Sequence, residues 1–170
     1  CTFEDCARTF MRTDAGSEIN YLTVRNNTFY KVSTNSTSKD NNGIFHVRSA
    51  AGSGMLDYRI VNNLFYSILI DETPEHANGY PRFISNNAAA LKPNVIANNY
   101  FYNIEEREDK SAYSWWTVNC SREDGLAGGG VVLPADPCKD AANGDFTLVN
   151  AVAMNSNIGD PRWNPMRGSN

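Results

Sequence analysis

The chain predicts an all-β solenoid of about four coils with three short strands per coil, and three observations carry that prediction. The first is a repeat. Leu22-Thr23-Val24-Arg25-Asn26-Asn27-Thr28-Phe29-Tyr30-Lys31-Val32 returns as Tyr58 to Ile68 and again as Asn94 to Ile104, with the Asn-Asn step moving from Asn26 to Asn62 to Asn98. A fixed period with an unchanged Asn-Asn-x-Phe-Tyr core is the mark of stacked repeats. The second is alternation of apolar and polar residues in short blocks such as Ile44-Phe45-His46-Val47-Arg48-Ser49, as half-buried strands require. The third is turn chemistry between the blocks, supplied by Asn-Asn and by Ala51-Gly52-Ser53-Gly54.

Taken in order, residues 1–20 resemble the tail of an earlier unit. Thr2-Phe3 lines up with Thr28-Phe29, and Met11 to Ser17 with Val47 to Ser53 at the full repeat offset. The chain therefore opens partway through a coil, and N-terminal coils missing from this sequence are expected to precede Cys1 or to come from a partner. Each full repeat then holds a first strand (Ile44 to Ser49, Arg82 to Ser85), a second (Leu56 to Val61) and a third (Leu64 to Ile68). Asn is the non-Gly residue that best tolerates the left-handed conformation of a sharp bend. Period two from Val24, Ile60 and Ile96 places Asn26, Asn62 and Asn98 inward, where stacked amides can bond one another. Phe29, Phe65 and Phe101 form a column beside them. Strict alternation cannot bury both Phe65 and Ile68, so the third strand must bend between them.

After residue 118 the repeat fades. The expected divisions are coils over 1–118, a long Gly-rich loop over 119–144, and a final strand with a C-terminal cap over 145–170. At the boundary between the first two, Ser114 to Asn119 is a further strand candidate.

The chain has 170 residues, 15 basic and 19 acidic, for a net charge of −4. Without a basic stripe the electrostatic basis of nucleic-acid binding is missing. No apolar run approaches the about 20 residues of a membrane span. Four cysteines without a Cys-x-x-Cys pair do not suggest a metal site, and no cofactor is implied. Cys120 and Cys138 flank the long loop, where a disulfide or two free thiols are both open readings.

The repeated Val/Ile-x-Asn-Asn-x-Phe-Tyr is similar to secreted bacterial right-handed parallel β-helix proteins of the pectate-lyase-like superfamily. The closing Gly144-Asp145-Phe146-Thr147-Leu148 and Gly159-Asp160-Pro161-Arg162-Trp163 resemble the end of a C-terminal family of unknown function found in surface proteins of glycan-degrading bacteria. The resemblance implies a right-handed solenoid, an extracellular or outer cell-surface location, and a polysaccharide or oligosaccharide partner, anionic if the lyase likeness extends to substrate. Leucine-rich repeats are the rival, but their period of about 20–29 residues is too short.

The candidate ligand-binding residues lie on the first strands and near the long loop. Arg12 over Arg48, with His46 and Arg82 alongside, offers paired guanidinium donors to an anionic sugar; the alternative is a solvated, charged strand face. Trp115 and Trp116 point to opposite faces if they lie on a strand, so one belongs to the core and the other offers a sugar platform. The column Tyr30, Tyr66 and Tyr102 is either packing or a further platform. No converging carboxylates accompany these residues, so neither a calcium site nor an acid pair is nominated. The expected role is structural and glycan-binding, with two alternatives: a lyase or glycoside hydrolase whose site lies partly in missing coils, and a capping module that binds nothing.

Overall fold

The computed structural model describes residues 1–6, 9–13, 19–33, 43–47, 57–69, 82–86, 92–104, 116 and 120–167. Ten strands come first: β1 (Thr2–Glu4), β2 (Met11–Arg12), β3 (Tyr21–Arg25), β4 (Thr28–Tyr30), β5 (Phe45–Val47), β6 (Asp57–Val61), β7 (Leu64–Ile68), β8 (Ile84–Asn86), β9 (Val95–Ala97) and β10 (Tyr100–Ile104). Helix α1 (Arg122–Gly125), a 3-10 turn (Ala127–Gly129), β11 (Val131–Val132), β12 (Cys138–Asp140), β13 (Asp145–Leu148) and helix α2 (Ala151–Asn155) follow.

Parallel strands join into three separate sheets: β1-β4-β7-β10-β11 (sheet 1), β2-β5-β8 (sheet 2) and β3-β6-β9 (sheet 3). β12 and β13 form a separate antiparallel pair. This corrects the expected right-handed parallel β-helix solenoid of about four coils. The described strands make small sheets of five, three, three and two strands, and no closed coil of three strands is traced among the described residues. The repeat also stops early. Beyond β9, α1 and the 3-10 turn occupy the place of a further strand, with Asn98 N–H donating to Ala127 C=O at 3.2 Å.

The Asn-Asn step sets the register of sheets 1 and 3. Asn26, Asn62 and Asn98 take φ of 53°, 56° and 50°, the left-handed region that Asn enters at least cost. That turn reverses the alternation, so the second Asn of each pair points inward, not the first as expected. Asn63 is fully buried. Its Oδ1 accepts from the backbone N–H of Asn27 at 3.0 Å and from Asn27 Nδ2 at 3.2 Å. Its Nδ2 lies 3.0 Å from Asn99 Oδ1, Val24 C=O and Val61 C=O, and its backbone N–H donates to Asn99 Oδ1 at 3.1 Å. Each amide thus satisfies the repeat beside it, as a buried polar group must.

Beside this ladder Phe3, Phe29, Phe65 and Phe101 stand in register, their rings stacked at 5.3, 5.0 and 5.2 Å between centroids. The expected bend after Phe65 is present. Ser67 has φ 50°, which turns the chain so that Phe65 and Ile68 are both fully buried. Asp5, Lys31 and Asn103 repeat the same left-handed turn.

Sheet 2 does not keep the constant offset. Met11 pairs with Phe45 and Phe45 with Ile84, whereas the repeat offset aligns Met11 with Val47. Among the described residues no amide ladder like that of Asn63 runs along sheet 2, and its connections vary in length.

The outward side of sheet 1 is not free. Tyr30, Leu64, Tyr66 and Tyr100 pack with Leu133, Phe146, Leu148 and Ile158 in a second apolar cluster. The C-terminal segment then runs lengthwise over the repeats, not across the final one as a cap. Asn98 Nδ2 donates to Ser156 C=O at 3.0 Å and Asn26 Nδ2 to Asn157 C=O at 2.9 Å. Gly159 N–H donates to Asn62 C=O at 2.9 Å, and Asp160 N–H to Thr28 Oγ1 at 3.1 Å. Thr2 Oγ1 donates to Asp160 Oδ2 at 2.9 Å and accepts from Trp163 Nε1 at 2.8 Å. At the other end, Trp116 sets its ring 5.2 Å from Phe101 and 5.9 Å from Phe83.

Two outcomes are expected. Asn63→Ala strands donors and acceptors on both neighbouring repeats and lowers stability by about 3 kcal/mol, measured by denaturant unfolding; a loss under about 1 kcal/mol contradicts the ladder's role. Burial pushes the Asp160 carboxyl up, but the Arg162 guanidinium and backbone N–H and the Thr2 hydroxyl outweigh it and hold it at about 2, below its ordinary 3.8. Its stabilisation is full above the ordinary value and is lost as pH falls through the folded one. Asp160→Asn should therefore flatten the fall in melting temperature across that acid window.

Candidate functional site

Four of the residues nominated from sequence, Arg12, His46, Arg82 and Trp116, are described. Arg48 and Trp115 lie outside the described residues. His46 is fully buried in the middle of β5, so it does not face a ligand beside Arg12. The register sets Arg12 beside His46, and His46 in turn beside Ser85. Arg12 is exposed and Arg82 half-buried.

Trp116 is a core plug. A Cβ built on Gly125 would lie 2.0 Å from its ring, so α1 can approach only because that position is glycine. The Tyr column is equally committed: Tyr30 and Tyr66 are buried under the C-terminal segment, and the Tyr66 hydroxyl donates to Asp136 at 2.7 Å. Cys120 and Cys138 are free thiols in different apolar clusters, so the disulfide reading is set aside.

A different face gathers exposed polar chemistry. In sheet 3 the inward residues Val24, Tyr58 and Ile60 are buried, while Tyr21, Thr23, Arg25 and Arg59 are exposed. Register places Tyr21 beside Asp57, and Thr23 beside Arg59 and then Val95. Tyr21 is 73% exposed, which leaves a flat amphipathic ring in solvent. Arg59 Nε donates to both Asp57 oxygens at 2.8 and 3.0 Å. Such a surface pair adds at most about 1 kcal/mol to stability, but it fixes the orientation of the guanidinium.

The same face ends in a cleft. Lys92, Pro93, Asn94, Val95, Ile96, Asp124 and Ala127 line a space of about 290 Å³ between β9 and α1. That volume is near the lower end of small-molecule sites, roughly 300 Å³. Asn94 is held in place because its Oδ1 accepts from Tyr58 N–H at 2.8 Å and its own N–H donates to Tyr58 C=O at 2.8 Å. Asp124 closes a capping box with Ser121, its Oδ2 accepting from Ser121 N–H at 3.1 Å. Behind the cleft, burial and the Asp124 carboxylate push the Cys120 thiol up, the Lys92 ammonium opposes them, and the result is about 12. The thiol therefore stays neutral and is not a nucleophile at ordinary pH.

The sheet 3 face was implicit in the alternation of Tyr21 to Arg25 and Asp57 to Val61: once Val24 and Ile60 point inward, Tyr21, Thr23, Arg25 and Arg59 point out. The Lys92–Asp124 cleft had no such signal, because α1 brings together residues from distant parts of the chain. Among the described residues no three His, Cys, Asp or Glu side chains converge as metal ligands, and no helix is long and apolar enough to cross a membrane.

Gly125→Ala should lower stability by about 2 kcal/mol and alter the near-ultraviolet signal of Trp116, measured by circular dichroism during unfolding; an unchanged midpoint contradicts the plug. No curated protein and no solved structure matches the chain. Residues 22–163 match the family described as a domain of unknown function, DUF5123, and the chain belongs to that family.

Proposed function

We propose that this chain belongs to an extracellular or cell-surface protein that handles polysaccharide, and that it binds saccharide on the outward face of sheet 3. The observation that carries this reading is the exposed ring of Tyr21 in register with a fixed Arg59–Asp57 pair on the face that leads to the Lys92 cleft. Sugar rings present an apolar C–H face and a rim of hydroxyls. An exposed phenol ring matches the first, and guanidinium donors with a carboxylate acceptor match the second. The sequence resemblance to secreted polysaccharide-handling proteins supports the same ligand class.

Rigidity favours binding of this kind. The backbone of sheet 3 is held by strand pairing on β6 and by the Asn ladder at its end, so little ordering entropy is lost when a ligand settles on it. The test is retention of the full chain on immobilised pectin, xylan and mucin-type glycans, with released sugar assayed in parallel. Retention without release is expected, and Tyr21→Ala should weaken it about tenfold, near 1.4 kcal/mol. Equal retention of Tyr21→Ala and Arg59→Ala overturns the placement of the site, and steady release of shortened product overturns the non-catalytic reading.

A further inference from the structure

We infer that this site recognises the end of a saccharide chain, a conclusion that rests on the saccharide-binding reading. The face of sheet 3 is walled at the β9 side. A Cβ built on Gly128 would meet Ala97 Cβ at 2.6 Å, so the 3-10 turn lies directly against the side chain that follows Arg25 and Val61 in register. Val95 and Ala97 are only partly accessible although they are small and on the outward row. The segment of α1 and the turn thus stands across the path of a chain that crosses β3, β6 and β9 in succession. A polymer laid over Tyr21 and Arg59 has no straight exit past Ala97 and Ala127.

The cleft in front of that wall carries the groups that distinguish an end from an interior. Lys92 and Asn94 are exposed at its rim, and Asp124 is half-buried beside them. Among the described residues Lys92 makes no ion pair, so its ammonium is available as a donor. A terminal sugar carries a hydroxyl where an interior sugar carries a glycosidic oxygen. That hydroxyl both donates and accepts, whereas the glycosidic oxygen cannot donate. A carboxylate and an ammonium together read this difference, because the Asp124 carboxylate can only accept and the Lys92 ammonium can only donate. Buried Pro93 and the methyl of Ala127 supply an apolar floor for the ring.

The experiment is calorimetric titration of the full chain with linear oligosaccharides from whichever polymer retains it. Each oligosaccharide is offered unmodified, as the methyl glycoside at the reducing end, and methylated at the non-reducing terminal hydroxyl. Blocking one particular end is expected to weaken binding about tenfold, the range of a lost hydrogen bond to a charged group. Lys92→Ala and Ala127→Trp should bring the unmodified ligand down to the same weakened level, and Ala127 is exposed, so the larger side chain fills the cleft without entering the core. Equal affinity for unmodified and both blocked forms overturns end recognition while leaving saccharide binding intact. Binding of no saccharide by the unaltered protein overturns the parent reading and this inference with it.

Discussion

The buried amide of Asn63 is the interaction on which the rest of the structure depends. It joins Val24, Asn27, Val61 and Asn99, so three repeats share one side chain. The cost of the neighbouring left-handed turn at Asn62, about 1–2 kcal/mol for most L-residues, is small beside the loss of several buried hydrogen bonds. The turn and the ladder are therefore one device. The left-handed residue reverses the alternation, and the reversal aims the next amide into the core. Where the device is present, along β4, β7 and β10 of sheet 1 and along sheet 3, the register is constant. Where it is absent, in sheet 2, Met11, Phe45 and Ile84 align at unequal offsets.

The C-terminal segment uses the same turns from outside. Asn26, Asn62 and Asn98 keep their own polar groups outward, and these meet the backbone of Ser156, Asn157 and Gly159. One short stretch thus bonds to three repeats and, through Asp160 and Trp163, to Thr2. Its close approach has a local cause, since Gly159 at φ 70° would bring a Cβ to 3.0 Å from Thr28 Oγ1. The Tyr30 and Tyr66 rings that this segment covers are consequently structural, because an aromatic surface already packed against Phe146 has no face left for a ligand.

What was legible in the sequence follows from period and dihedral preference. The strand from Leu64 to Ile68, the Phe29–Phe65–Phe101 column and the bend after Phe65 were all readable, because each is fixed within one repeat. The choice between Asn62 and Asn63 for the inward position was not, since simple alternation continues through a turn that in fact reverses it. The pairing of Arg12 with His46 was hidden for a different reason: the constant offset of sheet 3 does not hold in sheet 2. His46 looked like a ligand-facing residue by type, yet type does not report which side of a strand is covered. A repeat specifies strand neighbours without specifying that the sheets close, so the period alone does not fix a closed multi-coil architecture.

Function in a repeated scaffold is most readily placed where the repetition breaks. Identical layers present identical columns, and a column by itself binds neither end nor middle of a ligand preferentially. Here the break comes beyond β9, where α1 and the 3-10 turn replace the next strand and Gly125 and Gly128 let them settle against Trp116 and Ala97. That replacement brings Asp124 beside Lys92 and Asn94 and creates a recess at the end of the face. The glycines are thus tied to the site although neither touches it chemically. A side chain at Gly128 would lift the wall from Ala97, opening the recess while leaving Lys92 and Tyr21 unchanged, so the shape of the cleft and its charges are separable contributions to whatever the face binds.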